Sequence, residues 1–378
     1  MLKVDFGMQE VNHFHIGIGV YENRIIMELM NYKDLDCSGN VFYARGLQRK
    51  NFKRFHFAVK ILHLPARIAY NTHLKIFPVY MHQICRRKSD IYLYLNHKLP
   101  RTKFDGKVVT TIHDLIPLKT EVESAAVRKT FLSYVQDAVS RSDTILTVSD
   151  YSRNDIAAYF HIPHNRIHVI PDGVDFAEFN IPVDRVQLES VREKYRLPEK
   201  FILYFGSARK HKNVGSILKA YARIPQALRT NVHLVITNGN EPLKKMAEEL
   251  GIRPFVRFVG RVENADKAAF YQLADLKIFV SLYEGFGIPV LEAMAAGTPV
   301  VASNVSALPE VCGDAALLVD PADIDQIAEA MAKVLTDAGL RRDLINKGIK
   351  NAQKYTWARS AGKLHDLLVG ECPGRADK

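Results

Sequence analysis

Short apolar runs of four to six residues alternate along the whole 378-residue chain with longer stretches whose apolar residues recur at helical spacing. Such an alternation buries its strands on both faces only when they lie parallel between layers of helices, so the chain is expected to be α/β. In the first half the strand candidates are 2–6, 91–95, 108–113, 144–149 and 167–170. In the second half they are 201–205, 232–237, 256–259, 276–281, 300–303 and 316–319. Helices fit between them at 214–224, 243–250 and 267–274, and 324–355 reads as mostly helical. The turn signal Pro171-Asp172-Gly173-Val174-Asp175 precedes a polar, poorly periodic stretch, which places a boundary there. The expectation is two doubly wound domains, 1–175 and 176–357, facing each other across a cleft at the carboxyl ends of their strands.

Composition narrows the class. Hydrophobic and charged contents of 47% and 25% are those of a soluble globular protein. No apolar run reaches the ~18–20 residues that a membrane span needs, and the start, Met1-Leu2-Lys3-Val4-Asp5-Phe6, lacks the apolar core of a signal peptide. Cys37, Cys85, Cys312 and Cys372 are widely spaced, which suggests a reduced, cytoplasmic setting without structural zinc.

The net charge of +11 is concentrated: residues 45–107 alone carry +13. Within that stretch Phe52, Phe55, Val59 and Leu62 recur at helical spacing, with Arg49, Lys50, Lys53, Arg54 and Lys60 between them. A basic helix with an aromatic face suits the surface of an anionic membrane, and it equally suits an amphipathic helix packed on its own domain. No helix-turn-helix, zinc-finger or RNA-recognition pattern occurs, so no nucleic-acid partner is expected.

The most specific chemistry lies in Glu284-Gly285-Phe286-Gly287-Ile288-Pro289-Val290-Leu291-Glu292. It follows a buried strand, turns on Gly285 and Gly287, and opens a helix with Pro289 in its first turn and Gly297 at its end. A glycine-rich strand-to-helix turn gathers free N–H groups at a positive dipole end, which favours an anion. With Glu284 at its mouth and Glu292 one helical turn inside, the segment suits a ligand with a central phosphate and hydroxyls at both ends, such as a nucleotide-sugar. The plainer alternative is one capping carboxylate and one on a solvated helix face.

A second cluster, Arg209-Lys210-His211-Lys212, follows the first strand of the second half and so falls on the same sheet edge. Arg209 and Lys212 can stabilise a departing diphosphate as a metal ion would; the alternative is a solvated basic loop. In the first half, Gly17-Ile18-Gly19 opens a helix and can bring amides close to a phosphate, but lacks the third glycine of a dinucleotide fingerprint. His113-Asp114 ends a strand, where His113 can hold a sugar hydroxyl or the acceptor with Asp114 orienting it. Asp34-Leu35-Asp36 and Asp323-Ile324-Asp325 follow no buried strand and read as a loop and a helix start, so no metal site is expected.

Together these features resemble the retaining glycosyltransferases of family four (glycosyltransferases group 1), which have the GT-B fold of two Rossmann-like domains. The resemblance covers most of the chain and is strongest over 201–320, where 283–294 looks like the family's Glu-x7-Glu signature and Ala307-Leu308-Pro309-Glu310-Val311 also fits. Gly17-Ile18-Gly19, His113-Asp114, Thr147-Val148-Ser149 and residues 169–175 fit the same family. Two departures stand out: 45–99 matches nothing family-wide, and Ser207 and Ala208 precede Arg209 where relatives often carry Gly-Arg directly.

The resemblance implies a catalytic set of Glu284, Arg209, Lys212 and His113. Gly17, Gly19, Asp114, Gly285, Phe286, Gly287 and Glu292 would bind substrate, with Glu292 on the ribose hydroxyls and Glu284 on those of the donor sugar. No cofactor or essential metal is implied. The C-terminal helix, about 358–378, would pack back on the first domain. The implied activity moves a hexose, with retention, from a GDP-mannose-like or UDP-hexose donor to a saccharide or lipid-linked saccharide. Surface polysaccharide or lipopolysaccharide synthesis, on the inner face of the membrane, is the implied setting. A nucleotide-sugar epimerase and a non-catalytic basic membrane-binding protein are the rival readings.

Overall fold

The computed structural model describes residues 1–13, 17–45 and 47–372. The chain forms two compact units, one comprising 1–173 with the segment from Trp357 onward, the other Val174–Thr356.

The first unit is built on strands β1 (Leu2–Gly7), β2 (Leu35–Tyr43), β3 (Val59–Pro65), β4 (Ile91–Tyr94), β5 (Lys107–Thr111), β6 (Thr144–Thr147) and β7 (Ile167–Val169). All pair in parallel, in the order β3-β2-β1-β4-β5-β6-β7. Helix Gly17–Leu29 begins at Gly17 itself, so Gly17 and Gly19 lie inside its first turn rather than in a loop before it. Helix Trp357–Glu371 belongs to this unit, where His365 stacks on Tyr32 at 4.0 Å and donates to Asp34 at 2.9 Å.

Two of these strands were not expected. In β2 the polar residues Ser38 and Asn40 point inward, because buried Asp5 on β1 accepts from Ser38 Oγ (2.9 Å) and Asn40 Nδ2 (2.8 Å). Asp36, read as part of a loop, lies in β2 and pairs with Arg87. The basic amphipathic helix expected around 52–62 does not form. Arg49–Phe52 is a single 3-10 turn and Val59–Pro65 is the edge strand of the sheet. Phe52 and Phe55 are buried and Phe57 stacks on Phe6 at 5.6 Å, so the aromatic face of the supposed membrane helix is core. Among the described residues no helix is long and apolar enough to cross a membrane.

The second unit carries β8 (Phe201–Tyr204), β9 (His233–Thr237), β10 (Val256–Val259), β11 (Leu276–Phe279), β12 (Val300–Ser303) and β13 (Leu317–Val319). Their order, β10-β9-β8-β11-β12-β13, is wholly parallel. The winding reverses between β8 and β11, and there two neighbouring crossovers leave in opposite directions and open a crevice at the carboxyl ends of the strands. The central strands β8, β11 and β12 are buried along their whole length, covered by helices such as Val214–Arg223 and Ile324–Thr336. Asp323 caps the second of these, accepting from the N–H groups of Asp325 and Gln326.

Candidate active site

The segment leaving β8 runs through Phe205 to Asn213 and enters helix Val214–Arg223. Asn213 adopts a left-handed conformation (φ 57°), and its side chain donates to Val280 O and Pro321 O. His211 is buried beneath this loop, and its carbonyl accepts from Leu282 N–H at 2.8 Å. The loops after β8 and β11 are thus laced together at the reversal point of the sheet. Burial, and then the charge of Lys212, lowers the His211 imidazole to about 4, so it is neutral at pH 7.

The segment leaving β11 makes the glycine turn. Gly287 sits at φ 130°, where an added Cβ would lie 2.8 Å from Leu308 Cδ2, so both backbone angle and space require glycine. Helix Ile288–Ala295 follows, with Pro289 in its first turn. Gly297, at φ 74°, ends it as Thr298 N–H reaches back to Ala293 O. Phe286 turns inward, edge-on to Tyr355 at 5.6 Å, so its side chain is a packing element and only its backbone remains for a ligand.

Glu284 and Glu292 are both buried, 7% and 5% exposed, and each is paired with a lysine. Lys212 Nζ lies 2.6 and 2.9 Å from the two Glu284 carboxylate oxygens. Glu292 accepts from Lys267 Nζ on one oxygen and from Tyr271 OH (2.9 Å) on the other. The sequence reading treated Lys212 as a bare cation. Here its charge is matched by Glu284, while Arg209 is exposed and has no acid partner among the described residues.

Three residues of this cluster were missed. Lys267 and Tyr271 stand four apart on helix Lys267–Leu273 and so share one face, the spacing that could have revealed them. Lys277 is a lone lysine in the apolar run of β11 and is fully buried. Its Nζ donates to Phe205 O at 3.0 Å, beside the Tyr204, Tyr271 and Phe279 rings at 5.2–5.8 Å. Burial holds this amine well below its ordinary pKa, opposed by the Glu292 carboxylate.

In the first unit, His113 follows β5 and its Nε2 lies 3.1 Å from Leu95 O. A carbonyl only accepts, so Nε2 carries the proton and Nδ1 presents a lone pair. Burial lowers this imidazole to about 4. The tautomer is therefore set by Leu95, while Asp114 Oδ1 accepts from Ile116 N–H at 2.9 Å. Tyr21 meets the His113 ring edge-on at 4.8 Å, and Gly19 O accepts from Asn23 Nδ2. Asp172 is buried nearby, and burial together with the Asp114 charge raises its carboxyl to about 8. Among the described residues no cluster of three or more His, Cys, Asp or Glu is disposed to hold a metal ion.

Residues 188–351 match the model for glycosyl transferases group 1, and residues 58–178 match that for glycosyltransferase family 4. O-antigen chain mannosyltransferase B of Escherichia coli is 32% identical over 270 residues, covering 70% of this chain and 69% of that protein. The serotype-specific mannosyltransferase WbdA of Escherichia coli is 32% identical over 274 residues, but this chain spans only 33% of its length. Among solved structures, Anabaena Alr3699/HepE in complex with UDP and glucose superposes with a TM-score of 0.74 at 16% identity, over 98% of this chain and 100% of that one. At that identity the likeness establishes the GT-B architecture and nothing finer. With two parallel α/β units, matches to both family models and a one-third-identical mannosyltransferase, this chain belongs to the group 1, family 4 glycosyltransferases.

Proposed function

We propose that the protein transfers a mannosyl or related hexosyl group, with retention at the anomeric carbon, from a nucleotide-sugar to a saccharide or lipid-linked saccharide. The growing chain would belong to a cell-surface polysaccharide or lipopolysaccharide. The observation that carries this reading is the double lysine–carboxylate cluster, Lys212–Glu284 and Lys267–Glu292, at the reversal point between β8 and β11. Mannose comes from the names of the two Escherichia coli relatives; retention comes from the family resemblance.

The cluster suits a ligand that is anionic at its centre and hydroxylated at both ends. The diphosphate would take the Lys212 ammonium and Arg209 guanidinium, which stabilise the charge that develops on the leaving oxygen. Releasing Lys212 frees Glu284 to accept hydrogen bonds from donor-sugar hydroxyls. Glu292, held by Lys267 and Tyr271, would read the ribose. Amides of Gly285 and Gly287 supply donors without side chains in the way. In the first unit, Gly17 and Gly19 would approach the donor phosphates, and His113, neutral with its Nδ1 lone pair available, would lie near the transferred sugar or acceptor with Asp114 beside it. No cofactor or essential metal enters this scheme, and the enzyme would work in the cytoplasm. Attack on the same face the leaving group departs from needs no protein nucleophile.

Thermal melts against a panel of nucleotide-sugars test the donor, because a ligand selective for the folded state raises Tm. GDP-mannose should give the largest shift, with and without EDTA. A panel that leaves Tm unchanged would reject the donor assignment. Nucleotide-sugar turnover without any acceptor would favour the epimerase reading.

A further inference from the structure

The first unit contains a groove of about 800 Å³ along β3, an edge strand of its sheet, walled on its far side by the segment 77–86. Ile61, Leu64, Phe77, Val79 and Ile84 line it together with the cations Lys60 and Arg86. The segment that supplies Val79 to this wall is unusually apolar at its surface: Leu74, Ile76, Val79 and Tyr80 are each 37–40% exposed within seven residues of chain. These residues are not on a loose loop. Phe77 N–H donates to Arg101 O, Lys103 N–H to Val79 O and Met81 N–H to Lys103 O, at 2.8–2.9 Å, and Arg101 Nε holds Leu74 O. The wall is therefore pre-formed, and its apolar groups are held toward water at a standing cost that a ligand would remove.

The charge of the chain segment that builds the groove is one-sided. Residues 45–107 include only two acids, Asp90 and Asp105, and Asp105 is engaged by Tyr92 and His82. Lys60 donates one N–H to Ile84 O at 2.8 Å and keeps two more; Arg86 is exposed and its guanidinium pairs with no acid among the described residues. A groove this size is of the order of a single small-ligand site rather than a flat surface. We propose that it takes up the aliphatic chain of an anionic amphiphile, with the phosphate seated on Lys60 and Arg86. The site is distinct from the lysine–carboxylate cluster and does not rest on the transferase reading.

Dodecyl phosphate below its micelle concentration is the probe, titrated calorimetrically into the full chain, with dodecyl maltoside and inorganic phosphate as controls. One equivalent of dodecyl phosphate should bind, the neutral detergent about tenfold more weakly, as one charge-assisted contact is worth, and inorganic phosphate not measurably. Val79→Glu should abolish binding. Arg86→Gly should weaken it without harm to the fold, since Arg86 sits at φ 56°, where glycine is at ease. Both positions are exposed, so both variants should fold. Equal binding of the neutral detergent, or an unaffected Val79→Glu variant, overturns the proposal. So does a concentration-dependent dimer that Val79→Glu dissolves while dodecyl phosphate fails to bind, because the occupant is then a second copy paired along β3. The readout is binding, so its failure leaves glycosyl transfer standing, and loss of transfer leaves the groove untouched.

Discussion

Lys212 and Glu284, delivered by the loops after two different strands, meet in a bidentate pair with Nζ 2.6 and 2.9 Å from the carboxylate oxygens. The pair occupies the point where a donor diphosphate is proposed to bind, so catalysis requires that it open. Before the ligand arrives, it keeps two partly buried opposite charges from facing an apolar wall alone.

Lys212→Met should therefore lower kcat by ~10²-fold, as losing an oxyanion-type contact does. It should also cost about 2–3 kcal/mol of stability by stranding Glu284, below the value for a fully buried pair because Lys212 keeps some water contact. The double variant Lys212→Met/Glu284→Gln should recover most of that stability and none of the activity. Urea melts and initial rates on the three variants check both halves.

Glu292 differs, since its two oxygens are held by separate donors, Lys267 and Tyr271. Glu292→Gln should raise the donor KM about tenfold, the worth of a charge-assisted bond to a ribose hydroxyl, with a smaller change in kcat. Tyr271→Phe should show a weaker form of the same KM effect. A fall in kcat alone in either variant would count against the ribose assignment.

Lys277 offers a sharper contrast between stability and activity. Its amine is fully buried, burial holds its pKa well below the ordinary lysine value, and it donates to Phe205 O at the root of the Arg209–Lys212 loop. Lys277→Met loses that bond, about 1 kcal/mol, but also removes a polar group from an aromatic cage. Tm should stay within about 4 °C of wild type, while kcat falls several-fold as the loop loses its tether. A large drop in Tm with unchanged kcat would make Lys277 purely structural.

Burial also shapes the pH dependence of stability. Glu22, buried beside Glu10, and Asp172, buried beside Asp114, both have carboxyls raised to about 8, against ordinary values near 4.5 and 3.8. The folded protein therefore holds protons that the unfolded chain releases, so these groups stabilise most at low pH. Their contribution is lost as pH climbs toward 8. Burial lowers His97 to about 3 and His113 and His211 to about 4, and this opposing slope ends near the ordinary histidine value of 6.5. Stability should thus decline between pH 6.5 and 8, and Glu22→Gln/Asp172→Asn should flatten that decline in thermal melts across the window.

Much of this was legible in the sequence wherever apolar periodicity was unopposed. The strands of the second unit appear as largely apolar runs, with a single charge inside β10 (Arg257) and inside β11 (Lys277), and the turn at Gly285–Gly287 reads directly because only glycine suits φ 130° at position 287. β2 was hidden because its inward polar residues are satisfied by Asp5, a partner 33 and 35 positions away. β3 was mistaken for helix because Phe52, Phe55, Val59 and Leu62 fall by coincidence at helical intervals, whereas Phe52 ends a separate 3-10 turn and only Val59 and Leu62 belong to the strand. Glu284, Glu292, Arg209 and Lys212 were visible as residue types, but that the acids pair with Lys212 and Lys267 is a fact of tertiary packing. Lys277 left a signal, one charge in an otherwise apolar strand.

The central claim is that donor sugar is activated at the β8–β11 reversal point and passed to an acceptor. Nucleoside diphosphate released from GDP-mannose, measured with and without an oligomannoside acceptor for wild type and Lys212→Met/Glu284→Gln, tests it most directly. The account predicts release that needs acceptor and is lost in the variant. Release independent of acceptor, or undiminished in the variant, would contradict it.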